Sequence, residues 1–234
     1  MAEFDIRHTK ADPVLHTLLT APITQILEDC MIPSWDVLII GDGSGSKVDN
    51  PCGWSAVLVD RETSARRLFG GHTNAGSTNF AECMPLIQAM SWYDHYYGQT
   101  RGSYANSFFN VHIITDSQSV QQAGENASRK GKHSGPLAFL TAYIVQMQTK
   151  QYRFYWHWRP RNQYALTDLV DTQSKSHRIT SNDGLAELAA EQSKPRNTRA
   201  IDSSTKNIND QPEPVWLNAK ERIRRKGLRE PGTI

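Results

Sequence analysis

The sequence predicts an α/β domain with a mixed five-stranded sheet, an antiparallel meander extended by parallel crossovers and flanked by helices. Two observations carry that expectation. Residues 37–40 (VLII), a continuous aliphatic run, and 111–115 (VHIIT), a run rich in β-branched residues, read as centrally buried strands, as strands covered on both faces do. Around them the element order reads three strands, helix, strand, helices, strand, helix, which is the succession of a mixed sheet.

Each element follows from local pattern. Residues 1–34 read as a helical N-terminal extension: Asp12 can cap a helix that Pro13 opens. Val14, Leu15, Leu18 and Leu19 then recur at helical spacing until Pro22, and Ile23, Ile26 and Leu27 resume the pattern. The main domain is expected over residues 35–175. Its first strand, 37–40, ends at Gly41-Asp42-Gly43-Ser44. Residues 54–60 and 66–70 form the second and third strands, joined through a turn at 60–63. A helix follows over 79–92, with Ala81, Leu86, Ala89 and Met90 packing and Pro85 near enough to the first turn to be tolerated. Strand 111–115 ends in Asp116-Ser117, a helix starts at Gln118, and a second helix spans 136–148 after a polar loop. Aromatics alternate with polar residues over 152–158, the last strand, and Asp168 and Val170 begin a closing helix. Periodicity fades beyond about Thr172. Residues 176–234 are expected to form a largely flexible basic C-terminal tail, with room for a short helix around 185–192.

Composition sets the outer bounds. The chain has 234 residues, 38% hydrophobic, which suits one core plus extensions. A net charge of +2 does not announce a polyanion partner, so any nucleic-acid surface must come from local clustering. Cys30, Cys52 and Cys83 match no zinc or redox spacing and fit a reducing intracellular compartment, cytoplasmic or other. No apolar run approaches the ~20 residues that span a bilayer, and no signal peptide is visible, so a membrane partner is not expected.

Four acids stand where acids are unusual. Asp42 and Asp116 close the two buried strands, Glu82 lies near the start of a helix, and Asp168 begins the last one. Singly, each is an ordinary turn or cap residue. Brought together they would repel one another, and the usual remedy is a divalent cation, with hard oxygen ligands selecting Mg²⁺ or Mn²⁺.

The segments Asp42-Gly43-Ser44, Thr78-Asn79 shortly before Glu82, and Thr115-Asp116-Ser117-Gln118-Ser119-Val120 resemble the ribonuclease H family, type I and the reverse-transcriptase domain alike. The resemblance spans about residues 35–175. It implies an endoribonuclease that hydrolyses the RNA strand of RNA–DNA hybrids with two Mg²⁺ ions, which Mn²⁺ can replace. The counterpart of Asp42 bridges both ions, those of Glu82 and Asp116 bind one, and a last Asp helps bind the other. Pro160-Arg161 fits a family pattern Pro-Arg-x-x-Asn-x-x-Ala-Asp. That spacing leads to Tyr164 in place of Asn, Thr167 in place of Ala, and Asp168 as the fourth acid, with Asp171 close by. The mobile Gly-His loop of many bacterial members is missing, and Arg159, Arg161 and Asn162 occupy its region.

The resemblance also assigns hybrid contacts to Gly43 and Ser44, to Gly45, to Asn79 and to Gln118. Arg161 is a candidate for the scissile phosphate. Arg129, Lys130, Lys132 and His133 form a basic loop where many members grip substrate phosphates. In the tail, Lys220, Arg222, Arg224, Arg225, Lys226 and Arg229 are a second basic cluster, and Trp216-Leu217 after two prolines reads as a docking peptide for a protein partner. A competing expectation is a non-catalytic ribonuclease H-like module for nucleic-acid binding or assembly.

Overall fold

The computed structural model describes residues 12–45, 50–98, 108–128 and 133–193, with backbone alone from 182 onward. Strands β1 (Val37–Ser44), β2 (Asn50–Asp60) and β3 (Arg66–Gly76) form an antiparallel meander. Strand β4 (Phe109–Thr115) runs parallel to β1, and β5 (Tyr152–Trp158) parallel to β4, in the order β3-β2-β1-β4-β5. Helix α3 (Thr78–Tyr93) links the meander to β4, and α4 (Gln118–Glu125) and α5 (Gly135–Thr149) link β4 to β5. This is the mixed five-stranded sheet that the pattern predicts.

Strand alternation divides the apolar runs between two cores. Val37, Ile39, Ala56, Leu58, Val111 and Ile113 pack under α3, α4 and α5. Leu38, Ile40, Val57, Val59 and Ile114 pack on the opposite face, under α1 (Pro13–Thr20), α2 (Thr24–Asp29) and α6 (Ala165–Ser193). Burying each such side chain contributes about 2 kcal/mol, so a strand covered on both sides can be apolar at every position. The same parity carries beyond Ile40: Gly43 continues the α3 side, and Asp42 turns to the α6 side. A Cβ on Gly43 would lie 2.4 Å from the Ala81 and Glu82 backbone, so only glycine lets α3 come so close. Gly53 of β2 serves α6 likewise, 2.3 Å from the Arg178 nitrogen on the same measure.

Helix α1 begins as its Asp-Pro start predicts: Asp12 Oδ1 accepts from the Val14 and Leu15 amides at 2.9 and 3.2 Å. At its far end Arg66 donates to the Leu18 and Ala21 carbonyls, tying the extension to β3.

Several expectations change: β1 runs on to Ser44, β2 begins at Asn50 and β3 runs on to Gly76, each beyond its expected bounds. Pro85 lies about two turns inside α3 rather than near the first turn. It leaves the Ala81 carbonyl without its usual helical donor, at the place where β1 approaches the helix. The closing helix is longer at both ends than its pattern suggests. It starts at Ala165, because the Tyr164 amide donates to Thr167 Oγ1 at 3.0 Å and the Asp168 amide makes the first helical bond to the Tyr164 carbonyl. It then runs past residue 175 to Ser193, held where Ser181 donates to the Thr73 carbonyl and to Asn74. Residues 129–132 and the tail calls at Trp216, Leu217 and 220–229 lie outside the described residues.

Candidate metal centre

Asp42, Glu82 and Asp116 converge at the end of the sheet where β1 and β4 stop. Each offers a carboxylate oxygen within 4.8 Å of the others. Two parallel neighbouring strands put Asp42 and Asp116 side by side, and the close approach of α3 at Gly43 brings in Glu82, which accepts the Gly43 backbone N–H. Asp42 and Glu82 are each only 4% exposed.

Asp168 does not join them. Its side chain is exposed on α6, whereas Asp171, three residues on, is buried and lines the same cleft with Asp42, Asp116 and Arg161. Helical geometry explains the difference. Leu166, Leu169, Val170 and Ser174 define the face of α6 turned to the sheet, and at about 100° per residue Asp171 falls on its margin while Asp168 points away. The family spacing points to Asp168, but α6 starts at Ala165, three residues before the expected start, and its phase leaves Asp168 exposed and brings Asp171 to the cleft. Counting the apolar stripe from Leu166 favours Asp171.

Ser174 is a further member that the sequence reading did not single out. It is fully buried and donates to Asp42 Oδ2 at 2.5 Å and to the Asp171 carbonyl at 2.9 Å. It lies beyond the point where the apolar periodicity fades. Trp158 also borders the site, its indole N–H donating to the Asp116 carbonyl at 2.8 Å.

The electrostatics are unfavourable by design of position. Burial pushes the Asp42 carboxyl up to about 6, and the charges of Asp116 and Asp171 add to it, while the Ser174 hydroxyl and Arg161 oppose. Burial, then Asp42 and Asp116, push Glu82 up to about 9. Arg161 offsets part of the repulsion: its Nε donates to Asp116 Oδ2, and its Nη2 lies 3.7 Å from Asp42 and 4.0 Å from Glu82. Even so, Glu82 Oε2, Asp116 Oδ1 and Asp171 Oδ1 are buried with no hydrogen-bond partner among the described residues. Buried carboxylate oxygens without donors are costly. A cluster of hard oxygen donors with open lone pairs fits a Mg²⁺- or Mn²⁺-type ion.

The other predicted positions surround this cluster. Ser44 is buried at the end of β1 with Gly45 next to it, and the Thr78 hydroxyl donates to the Gly45 carbonyl at 3.3 Å. Asn79 is exposed and does not cap α3, since Ser77 does so by accepting from the Phe80 amide. Gln118 is exposed at the start of α4, and Ser119 of that helix meets Asn79 at 3.5 Å. His157 is engaged elsewhere, 2.9 Å from His112.

No protein-family model matches the sequence, and no curated protein matches it. Solved structures do. The N-terminal RNase H domain of a Mycobacterium tuberculosis protein is 18% identical, with a TM-score of 0.49, over 65% of this chain and 99% of that one. RNase H1 of Halobacterium salinarum is 17% identical, with a TM-score of 0.45, over 60% and 96%. A compost-derived RNase H1, LC11, solved in complex with an RNA/DNA hybrid, is 19% identical, with a TM-score of 0.44, over 60% and 97%. At such identity likeness concerns fold and not function. Three antiparallel strands followed by two parallel ones, with helices on both faces, are what the motif resemblance implies: the chain has a ribonuclease H-like fold.

Proposed function

We propose that this protein is a metal-dependent endoribonuclease that hydrolyses the RNA strand of RNA–DNA hybrids. One observation carries the reading: Asp42, Glu82 and Asp116 meet within ligand distance, with Asp171 beside them, and three of their buried oxygens lack donors. A structural cluster would be expected to satisfy those oxygens with protein donors.

Asp42, Glu82, Asp116 and Asp171 are the residues that would hold the ions, and Asp171 replaces Asp168 in that set. Bound divalent ions would supply Lewis-acid chemistry there, activating a water and stabilising a departing 3′ oxygen. Ser174 holds Asp42 in one orientation and leaves its Oδ1 directed to the cluster. Arg161 lies at the exposed rim, where its guanidinium can pass from the carboxylates to a phosphate of the bound strand. Asn79, Gln118, Ser44 and Gly45 lie around the cluster as polar groups of the kind that read 2′-hydroxyls and backbone.

The reading of a non-catalytic module has two observations on its side, the pairing of Arg161 with Asp42, Glu82 and Asp116, and that of Lys175 with Asp171 at 2.6 Å. A cation supplied by the chain could stabilise a site that never takes metal. Incubation with labelled RNA–DNA hybrid, duplex RNA and single-stranded DNA separates the two. Cleavage of the hybrid's RNA strand in Mg²⁺ or Mn²⁺, abolished by chelator, is expected. Binding without cleavage in either metal would establish the module instead.

A further inference from the structure

The departure from the family pattern at Tyr164 has a partner in the N-terminal extension. Tyr164 is buried, and its hydroxyl donates to Asp29 Oδ2 at 2.9 Å. Gln163 Nε2 donates to the same oxygen at 3.4 Å, and Arg159 Nη2 donates to the Asp29 carbonyl. Asp29 thus holds three residues of the segment 159–164, which connects β5 to α6. That segment carries Arg161 into the carboxylate cluster and turns through Asn162, whose φ is 59°. Its last residue, Tyr164, sets the first turn of α6 through Thr167, and so the phase at which Asp171 meets the cleft.

Asp29 is badly placed for any local purpose. It is the last residue of α2, where a negative charge faces the negative end of the helix. Arg159 compensates by taking the carbonyl exposed at that end. A surface acid in an unfavourable helical position, contacted by three residues of one loop, is explained by the loop.

We infer that Asp29, in the N-terminal extension, is a positioning residue for the candidate metal centre, acting through Tyr164 to fix the segment that presents Arg161 and Asp171. The extension is then a working part of the site. This rests on the proposed metal-dependent reading, and the test below separates the two.

The experiment compares the full chain with Asp29→Ala, Asp29→Asn, Tyr164→Phe and the Asp29→Ala/Tyr164→Phe double variant. Mn²⁺ binding is measured by calorimetry, and amide hydrogen exchange over residues 159–167 is measured without metal. Outer-shell changes of this kind weaken metal binding on the order of 10-fold. Asp29→Ala and Tyr164→Phe should each do so, with faster exchange confined to residues 159–167. The double variant should be no worse than either single one, and Asp29→Asn, which keeps an acceptor oxygen, should bind as the parent does. In hybrid cleavage the same loss should fall on kcat, leaving KM little changed. Parent-like Mn²⁺ affinity in Asp29→Ala and Tyr164→Phe, or losses that multiply in the double variant, would overturn the inference. Should the parent chain fail to bind Mn²⁺, the metal reading falls, and exchange then decides: unchanged protection in Tyr164→Phe overturns the brace, local acceleration supports it. Tyr164→Phe removes one hydroxyl, so the test survives even if Asp29→Ala does not fold.

Discussion

Two acidic sites are buried at opposite ends of β1, about 17 Å apart along the strand. At one end Asp60 of β2, opposite Val37, is 1% exposed, and its carboxylate is met by protein donors. Oδ1 accepts from the Thr63 amide and hydroxyl, both at 2.8 Å, and Oδ2 from the Tyr93 hydroxyl at 3.0 Å. At the other end Asp42 is as deeply buried, yet the acids around it keep oxygens without donors. Burial of an acid therefore does not mark function by itself. What sets the Asp42 end apart is that carboxylate oxygens there lack donors.

The largest effects should come from the unfinished site. Asp42→Asn and Asp116→Asn each remove a ligand charge and should lower hybrid cleavage at least about 1000-fold, a loss of several kcal/mol of transition-state stabilisation. Circular dichroism should show the fold intact. Full cleavage by either variant would place the two acidic sites on the same structural footing. Next in size is the contrast within α6. Asp171→Asn should cost on the order of 10- to 100-fold in activity, whereas Asp168→Asn, on the exposed side, should change it by less than about twofold. The reverse result would restore the assignment that family spacing suggests.

That contrast also marks how far the sequence could be read. The sheet was legible because Val37–Ile40 has no polar interruption, because Val111, Ile113 and Ile114 keep β4 mostly aliphatic around His112, and because Thr115-Asp116-Ser117-Gln118 joins a strand to a helix. Asp42, Glu82 and Asp116 followed, since each is tied to an element whose boundary is local. Asp171 and Ser174 were harder. Their orientation depends on where α6 starts, and that start is set by Tyr164, which Asp29 holds from 135 residues away. A contact so remote leaves no periodic trace. The satisfaction of Asp60 by Tyr93, 33 residues on, was equally hidden.

Stability should separate the two acids in the opposite sense from activity. Asp60→Ala removes the acceptor of the Thr63 amide and hydroxyl and of the Tyr93 hydroxyl, and should destabilise the fold by about 2 kcal/mol. Glu82→Gln removes a carboxyl whose ionisation burial and two neighbouring carboxylates disfavour, so its unfolding free energy should stay level or rise. Urea unfolding without metal measures both. Equal losses would mean that Glu82 is held as well as Asp60 is.

The smallest expected effect is a pH dependence, and its sign is the informative part. Asp42 is raised from 3.8 to about 6 and Glu82 from 4.5 to about 9. Between each pair of values the folded chain binds more protons than the unfolded one, so metal-free stability falls as pH rises. Asp42 contributes that fall between about pH 4 and 6, and Glu82 between about pH 4.5 and 9. A divalent ion binds the ionised carboxylates and competes with those protons, so its stabilising effect should grow over the same interval. Melting curves from pH 5 to 8 should therefore drop on the order of 5 °C without metal, and the drop should shrink with excess Mg²⁺ or vanish. In Asp42→Asn the acidic part of the drop should be smaller, with the share of Glu82 remaining. A metal-free melting temperature that instead climbs with pH would mean that the carboxylates are already stabilised in their charged form, and the unfinished site would no longer be the exception in this sheet.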